Sequence, residues 1–195
     1  MKKYKINEIF YSLQGEGRHT GMATIFIRFS GCNLKCPFCD TQHNEGQEMS
    51  IEEICAEVNK YPTPIIILTG GEPSLFIDEE FIAYLKTDTG KQIAIETNGT
   101  RELPTNLDWV TLSPKDQFIS HAEVVLKKCD ELKVVFPCDD LNKYSHILAR
   151  NRYLQPCDTQ DAEQNAININ KCVEYIKNNP QWQLSLQTQK ILGVR

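Results

Sequence analysis

Three cysteines, Cys32, Cys36 and Cys39, fall within eight residues as C-x₃-C-x₂-C. Thiolates this close in sequence can converge on one polynuclear centre, and iron–sulfur clusters are held by such ligands. Three ligands on a four-iron cluster leave one iron free to bind something else, which is a catalytic arrangement. The same contrast between closed and open coordination separates structural from reactive zinc. Two other outcomes fit the spacing. His43, four residues past Cys39, can complete a tetrahedral Cys₃His zinc site. Uncoordinated buried thiols are the other, although three in one loop are unusual. Cys55, Cys129, Cys138 and Cys172 are scattered and have no assigned role; Cys157 is set apart by its loop.

The cysteine loop directly follows an apolar, β-branched run at 24–29. Similar runs bounded by turn residues occur at 65–69, 93–97, 109–112, 132–136, 153–155 and 182–186. Between them lie helical patterns. Ser50-Ile51-Glu52-Glu53 is a capping box opening a helix to about Lys60. Leu141, Tyr144, Ile147 and Leu148 recur at helical spacing, as do Ala166, Ile169, Val173 and Ile176. Strands alternating with helices imply right-handed crossovers and a mostly parallel sheet, an α/β protein. A complete barrel takes roughly 250 residues. Seven strands in 195 residues therefore predict an incomplete (β/α) barrel with shortened helices, in one domain over 1–195. The eleven residues between Thr97 and Trp109 include Pro104 and are marginal for a crossover helix. Polar or glycine-rich segments follow the strands, and a parallel barrel gathers them on the face where such folds place active sites.

Composition narrows the chemistry. With 21 Lys and Arg against 26 Asp and Glu, the net charge is −5, and the pI near 5.4 argues against a surface that wraps nucleic acid by phosphate neutralisation. No apolar run is long enough to span a membrane, and the Met-Lys-Lys start lacks the apolar stretch of a secretory signal. The expected compartment is the cytoplasm, where thiols stay reduced. Gly15, Gly17 and Gly21 precede a strand and do not open a helix, so they are not a dinucleotide fingerprint. Arg28 sits among Ile25, Phe26, Ile27 and Phe29; if it points inward it needs an anionic partner.

Gly31-Cys32-Asn33-Leu34-Lys35-Cys36-Pro37-Phe38-Cys39-Asp40-Thr41 resembles the cluster loop of radical S-adenosylmethionine (SAM) enzymes, and Thr69-Gly70-Gly71-Glu72-Pro73 resembles their SAM-binding turn. The resemblance implies a [4Fe-4S] cluster whose free iron is chelated by SAM, and cleavage of SAM to methionine and a 5′-deoxyadenosyl radical. Further segments extend the likeness over nearly the whole chain. They are Glu8-Ile9-Phe10-Tyr11-Ser12-Leu13-Gln14-Gly15-Glu16-Gly17, Glu96-Thr97-Asn98-Gly99, Ser113-Pro114-Lys115 and Leu184-Ser185-Leu186-Gln187-Thr188. Together they resemble the 7-carboxy-7-deazaguanine synthase family. That family converts 6-carboxy-5,6,7,8-tetrahydropterin to 7-carboxy-7-deazaguanine with loss of ammonia, toward queuosine and related 7-deazapurines. A glycyl-radical activase shares the cysteine spacing, but the Gln14-Gly15-Glu16-Gly17 segment argues against it.

The resemblance implies site residues one by one. Leu13, Gln14, Gly15 and Glu16 would contact the pterin, whose edge of donors and acceptors suits an amide, a carboxylate and glycine backbone. Arg28 would take the substrate carboxylate, and Thr69 would face substrate. The terminal carboxylate at Arg195 would reach it. Phe38, Cys39, Asp40, Gly71, Ser113, Pro114 and Lys115 would contact SAM, as would Gln155, Pro156, Cys157 and Asp158. Cys157 replaces the methionine or aliphatic residue expected there. For Gly71 the physical reason is close approach of backbone to the methionine moiety. Thr41 would bind Mg²⁺, which keeps waters and takes few protein ligands. The implied partners are a flavodoxin- or ferredoxin-like electron donor and a second copy in a homodimer. Glu16, Glu96 and His121 are ionisable candidates for proton transfer. Anaerobically prepared protein is expected to be coloured and to contain iron; a colourless protein with one zinc and no iron would instead support the Cys₃His site.

Overall fold

The computed structural model describes residues 2–39 and 41–194. Asp40 and Arg195, both expected at the site, lie outside the described residues. Nine strands form one sheet: β1 (Tyr4–Leu13), β2 (Ala23–Phe29), β3 (Gln47–Met49), β4 (Ile65–Gly70), β5 (Gln92–Thr97), β6 (Trp109–Leu112), β7 (Lys128–Phe136), β8 (Leu148–Pro156) and β9 (Gln183–Leu184). Their order is β3-β1-β2-β4-β5-β6-β7-β8-β9. From β2 to β9 every neighbour is parallel, while β1 pairs antiparallel with both β2 and β3. This is the expected incomplete (β/α) barrel, with all seven expected strands present. The two added strands escape sequence reading because β1 breaks its alternation at an irregularity between Ile6 and Glu8.

The helices are few, as the spacing predicts. Helix α1 (Ile51–Val58) opens on the expected capping box: Glu53 N donates to Ser50 Oγ, and Ser50 N donates to the Glu53 carboxylate. Helix α2 (Glu79–Thr89) runs from an Asp78 cap to Gly90 in the left-handed region. No helix joins β5 to β6 or β6 to β7 among the described residues. Two expectations need correction. The helical spacing at 141–148 yields only one 3₁₀ turn, Leu141–Tyr144, because Leu148 pairs with Lys128 and begins β8. Helix α3 (Ala162–Asn178) forms, but its inner side carries Asn168 and Cys172 while Ile169 stays 39% exposed. The reason is polar: Asn168 Nδ2 donates to the Cys157 carbonyl and sets the rotation of the helix. A short α4 (Thr188–Leu192) closes the chain. No helix of the described residues is long and apolar enough to cross a membrane.

Strand alternation divides the sheet into two faces. Ile66 and Leu68 of β4, with Ile93 and Ile95 of β5, pack on Ile54, Phe81, Ile82 and Leu85 of the first two helices. Leu132, Val134 and Phe136 of β7 pack with Leu154 and Cys172. The opposite positions face the barrel interior, where Phe26, Ile67 and Ala94 pack with Phe10 and Trp109. One step further toward the C-terminal end, the interior positions turn polar: Arg28, Thr69, Glu96, Lys133 and Gln155 all border one cavity. An apolar floor thus lies beneath a polar rim.

Phe29 ties that rim to the outer layer. It is fully buried, stacks on Phe76 at 5.7 Å and meets Phe81 edge-on at 6.0 Å. Phe29→Ala is expected to lower unfolding free energy by about 3–5 kcal/mol, measured by denaturant titration.

Candidate active site

The cavity is about 1060 Å³, at the upper end of ligand pockets. Cys32, Cys36 and Cys39 lie on its wall and none is in a disulfide. The Cys32 sulfur accepts the Leu34 N–H at 3.4 Å, a bond that favours a thiolate ligand. Burial pushes the Cys32 and Cys36 thiols up, and the neighbouring thiols add to the effect on Cys32. Among the described residues no three His, Cys, Asp or Glu side chains gather around a point suited to one metal ion. Three free thiols on one wall, one with a backbone N–H aimed at its sulfur, fit the donor set of a polynuclear cluster.

The cluster loop and the glycine turn are packed backbone to backbone. Gly71 N donates to Phe29 O at 3.0 Å, and Glu72 N donates to Gly31 O at 2.9 Å. A Cβ on Gly71 would sit 1.9 Å from the Gly31 carbonyl oxygen. Gly71 therefore has a different primary reason from the expected approach to methionine: it admits the cysteine loop. Buried Glu72 then links a third loop, accepting from Thr97 Oγ1 and Asn98 N, both at 2.7 Å.

Arg28 points into the same cavity, and the anion beside it is the protein's own. Its Nε donates to Glu8 at 2.9 Å and one terminal nitrogen donates to the Thr41 hydroxyl at 3.2 Å. This opposes the Mg²⁺ expectation, because a guanidinium beside Thr41 Oγ1 repels a dication. Gln14 bridges inward, donating to Glu96 at 2.8 Å and accepting from Glu16 N at 3.2 Å. Thr69 Oγ1 reaches Glu96 at 3.4 Å. Leu13 lines the same wall. Glu16 ion-pairs with Lys133 and accepts from Gln187 at 3.0 Å and Gln189 at 3.2 Å. Gly15 is occupied by protein: its carbonyl accepts from Thr188, and a Cβ there would lie 1.7 Å from Gln189 Oε1.

The residues expected at SAM are mostly brought together. Phe38, Ser113, Lys115, Gln155, Pro156, Cys157 and Asp158 border the cavity. Phe38 is held edge-on against Phe118. Pro114 is buried off the cavity wall, since the turn directs its neighbours inward. Lys115 Nζ donates to Ser113 O at 2.5 Å and Ser113 Oγ at 2.7 Å. Burial lowers the Lys115 ammonium to about 8 even with Cys36 adjacent. Asp158 is committed elsewhere. The hydrogen bond from Lys190 at 2.7 Å, with others from Gln160 N and Asn165, holds its carboxyl at about 2. His121 is exposed and away from the cavity wall.

Residues 26–116 match the model of the radical SAM superfamily. A 7-carboxy-7-deazaguanine synthase of Bacteroides thetaiotaomicron is 51% identical over 98% of both chains. The chain belongs to the 7-carboxy-7-deazaguanine synthase family. A member from Haemophilus influenzae is 36% identical, covering 98% of this chain and 94% of its own. The crystal structure of QueE from Escherichia coli superposes with a TM-score of 0.76 at 28% identity, over 94% of this chain and 93% of that one. Membership of the radical SAM superfamily implies SAM and a [4Fe-4S] cluster, and the free thiols of Cys32, Cys36 and Cys39 suit the latter.

Sequence reasoning missed Glu8, Lys133, Gln187 and Gln189 as parts of this 7-carboxy-7-deazaguanine synthase site. Lys133 carried the same signal as Arg28, a cation inside an apolar strand. Glu8 and Gln187 fall within the segments that carry the resemblance but had no role assigned, and Gln189 carried no signal, because only the fold brings these segments beside the cations. Gly71→Ala is expected to cut iron content after reconstitution at least severalfold while leaving the protein folded, as read by iron analysis and circular dichroism.

Proposed function

We propose that this single-domain chain converts 6-carboxy-5,6,7,8-tetrahydropterin to 7-carboxy-7-deazaguanine with release of ammonia. The product serves queuosine and related 7-deazapurine synthesis in the cytoplasm. The enzyme acts as a homodimer supplied with electrons by a flavodoxin- or ferredoxin-like protein. One observation carries the reading: a single cavity is lined by three free thiols together with Arg28, Thr69, Glu96 and Lys133. Near-full-length identity of 51% to a named 7-carboxy-7-deazaguanine synthase supports it.

When bound, the cluster and SAM supply the radical that starts the rearrangement. The atoms balance with ammonia as sole co-product, so no net oxidant or reductant is consumed by the ring contraction. The chain's task is to bind and orient. Arg28 offers the substrate carboxylate a planar fork of donors, with Glu8 holding its Nε side. Glu96 offers carboxylate oxygens to the pterin N–H edge, steadied by Gln14 and Thr69. Phe10 and Phe26 form an apolar base beneath Arg28, stacked at 4.8 Å. Cys32, Cys36 and Cys39 hold the cluster, while Gly71, Ser113 and Lys115 border the space for SAM. Mg²⁺ would bind Thr41 only once Arg28 has released that hydroxyl.

Cluster-reconstituted protein, assayed anaerobically with SAM, Mg²⁺, a reductant and 6-carboxytetrahydropterin, is expected to yield 7-carboxy-7-deazaguanine by mass spectrometry. Arg28→Ala should raise KM roughly 10- to 100-fold, the scale of a lost charge-assisted hydrogen bond. SAM cleavage without this product, in protein with an intact cluster, would discard the substrate.

A further inference from the structure

Lys133 is a cation in the middle of β7, between buried Leu132 and Val134, with a side chain only 6% exposed. Its ammonium ion-pairs with Glu16 and lies 3.9 Å from Glu96 Oε1. Glu131, on the same face of β7, is a third carboxylate within its field. The groups facing this cluster come from every side. Glu16 stands on the loop after β1, Glu96 on β5, Glu131 on β7 and Lys115 on the loop after β6. His19, Arg18 and Tyr153 lie at its edge beside Glu96 and Glu131.

Dehydrating an ammonium costs several kcal/mol unless nearby anions repay it. Carboxylates crowded together without a cation instead retain a proton among them. Burial works to raise the Glu16 carboxyl, yet the Lys133 charge and the hydrogen bonds from Lys133, Gln187 and Gln189 outweigh it and hold the group at about 2. Burial works to lower Lys133, yet Glu16, Glu96 and Glu131 keep it well above the ordinary lysine range.

Hydrogen bonding divides the carboxylates by task. Glu16 has both oxygens engaged by protein: one by Lys133, the other by Gln187 and Gln189. Glu96 Oε1 accepts from Gln14, but among the described residues Oε2 has only the long 3.4 Å contact from Thr69. Oε2 therefore retains the capacity to accept from a ligand.

We propose that Lys133 is a positioning residue: its ammonium, 3.9 Å from Glu96 Oε1, holds Glu96 in place as the acceptor for the substrate's N–H edge and, through Glu16, docks the 187–190 segment beside the cavity. The proposal rests on the pterin reading above. It also makes a claim about carboxylate ionisation that needs no substrate.

The test uses holoenzyme with an oxidised cluster and ¹³C-carboxyl-labelled glutamate, comparing wild type, Lys133→Met and Lys133→Arg by NMR pH titration and by steady-state kinetics. In Lys133→Met the Glu16 carboxyl should bind its proton about tenfold more tightly, because the Lys133 charge and hydrogen bond that hold it down are gone. KM for 6-carboxytetrahydropterin should rise at least tenfold with kcat within threefold, and Lys133→Arg should restore most of the loss. Iron content and substrate-independent SAM cleavage should stay within twofold. If Lys133→Met does not fold, the neutral pair Lys133→Gln with Glu16→Gln removes the charges at similar volume and should still raise KM. Unchanged carboxyl titration, or unchanged KM in a folded charge-neutral variant, would overturn the proposal. A wild type that never turns over the pterin, with titrations shifted as expected, would overturn the substrate reading and its link to Glu96 while leaving the electrostatic role of Lys133 standing.

Discussion

The backbones of Gly31 and Gly71 approach so closely that no side chain fits between them, and the site is built outward from that contact. Two hydrogen bonds, Gly71 N to Phe29 O and Glu72 N to Gly31 O, lock the cysteine loop after β2 to the turn after β4. The clash distance of 1.9 Å for a Cβ on Gly71 shows how little tolerance remains. Glu72 extends the lock to the turn after β5 through Thr97 and Asn98. The next link is Asn98 Nδ2 donating to Asn33 Oδ1 at 3.0 Å, back within the cysteine loop. Three loops that share no sequence neighbourhood thus behave as one rigid wall, which a cluster with only three protein ligands needs for a defined open iron.

The charged part of the rim is held by ion pairs. Half-buried Arg28 and buried Lys133 each sit in an apolar strand, and each is neutralised by a carboxylate from an earlier segment of the chain, Glu8 and Glu16. Such pairs are weak sources of stability, because desolvation consumes much of the attraction. Their value lies in orientation. A guanidinium held by Glu8 at Nε keeps its remaining edge directed into the cavity, and a carboxylate anchored by Lys133 gives Gln187 and Gln189 something fixed to bind. The C-terminal segment is thereby tied to the loop after β1, with Thr188 also donating to the Gly15 carbonyl at 2.9 Å.

The barrel is short because the crossovers are short. Between β5 and β6 the chain passes without a helix, and between β7 and β8 a single 3₁₀ turn suffices. Between β5 and β6 the connection has too few residues to form a covering helix. Where α3 does cover β8, its rotation follows the hydrogen bond from Asn168 to Cys157 rather than the most apolar stripe. Burial of one amide with a carbonyl partner outweighs the modest gain from turning Ile169 inward.

The sequence by itself determined the parallel strands, the three-cysteine loop, the glycine turn and the demand of Arg28 for an anionic partner, since each is a local pattern with a local cause. β-branched runs make strands, clustered thiols make a metal loop, and a charge in an apolar strand demands a partner. Tertiary structure decided which partners those charges take. Glu8 for Arg28, and Glu16 with Gln187 and Gln189 around Lys133, come from segments up to 173 residues apart. It also decided that Gly15 and Gly71 exist to admit protein, Gln189 and Gly31, before any ligand. Close approach between distant backbones leaves no mark in a local window, because the absent side chain reads the same whether a cofactor or another loop fills its place.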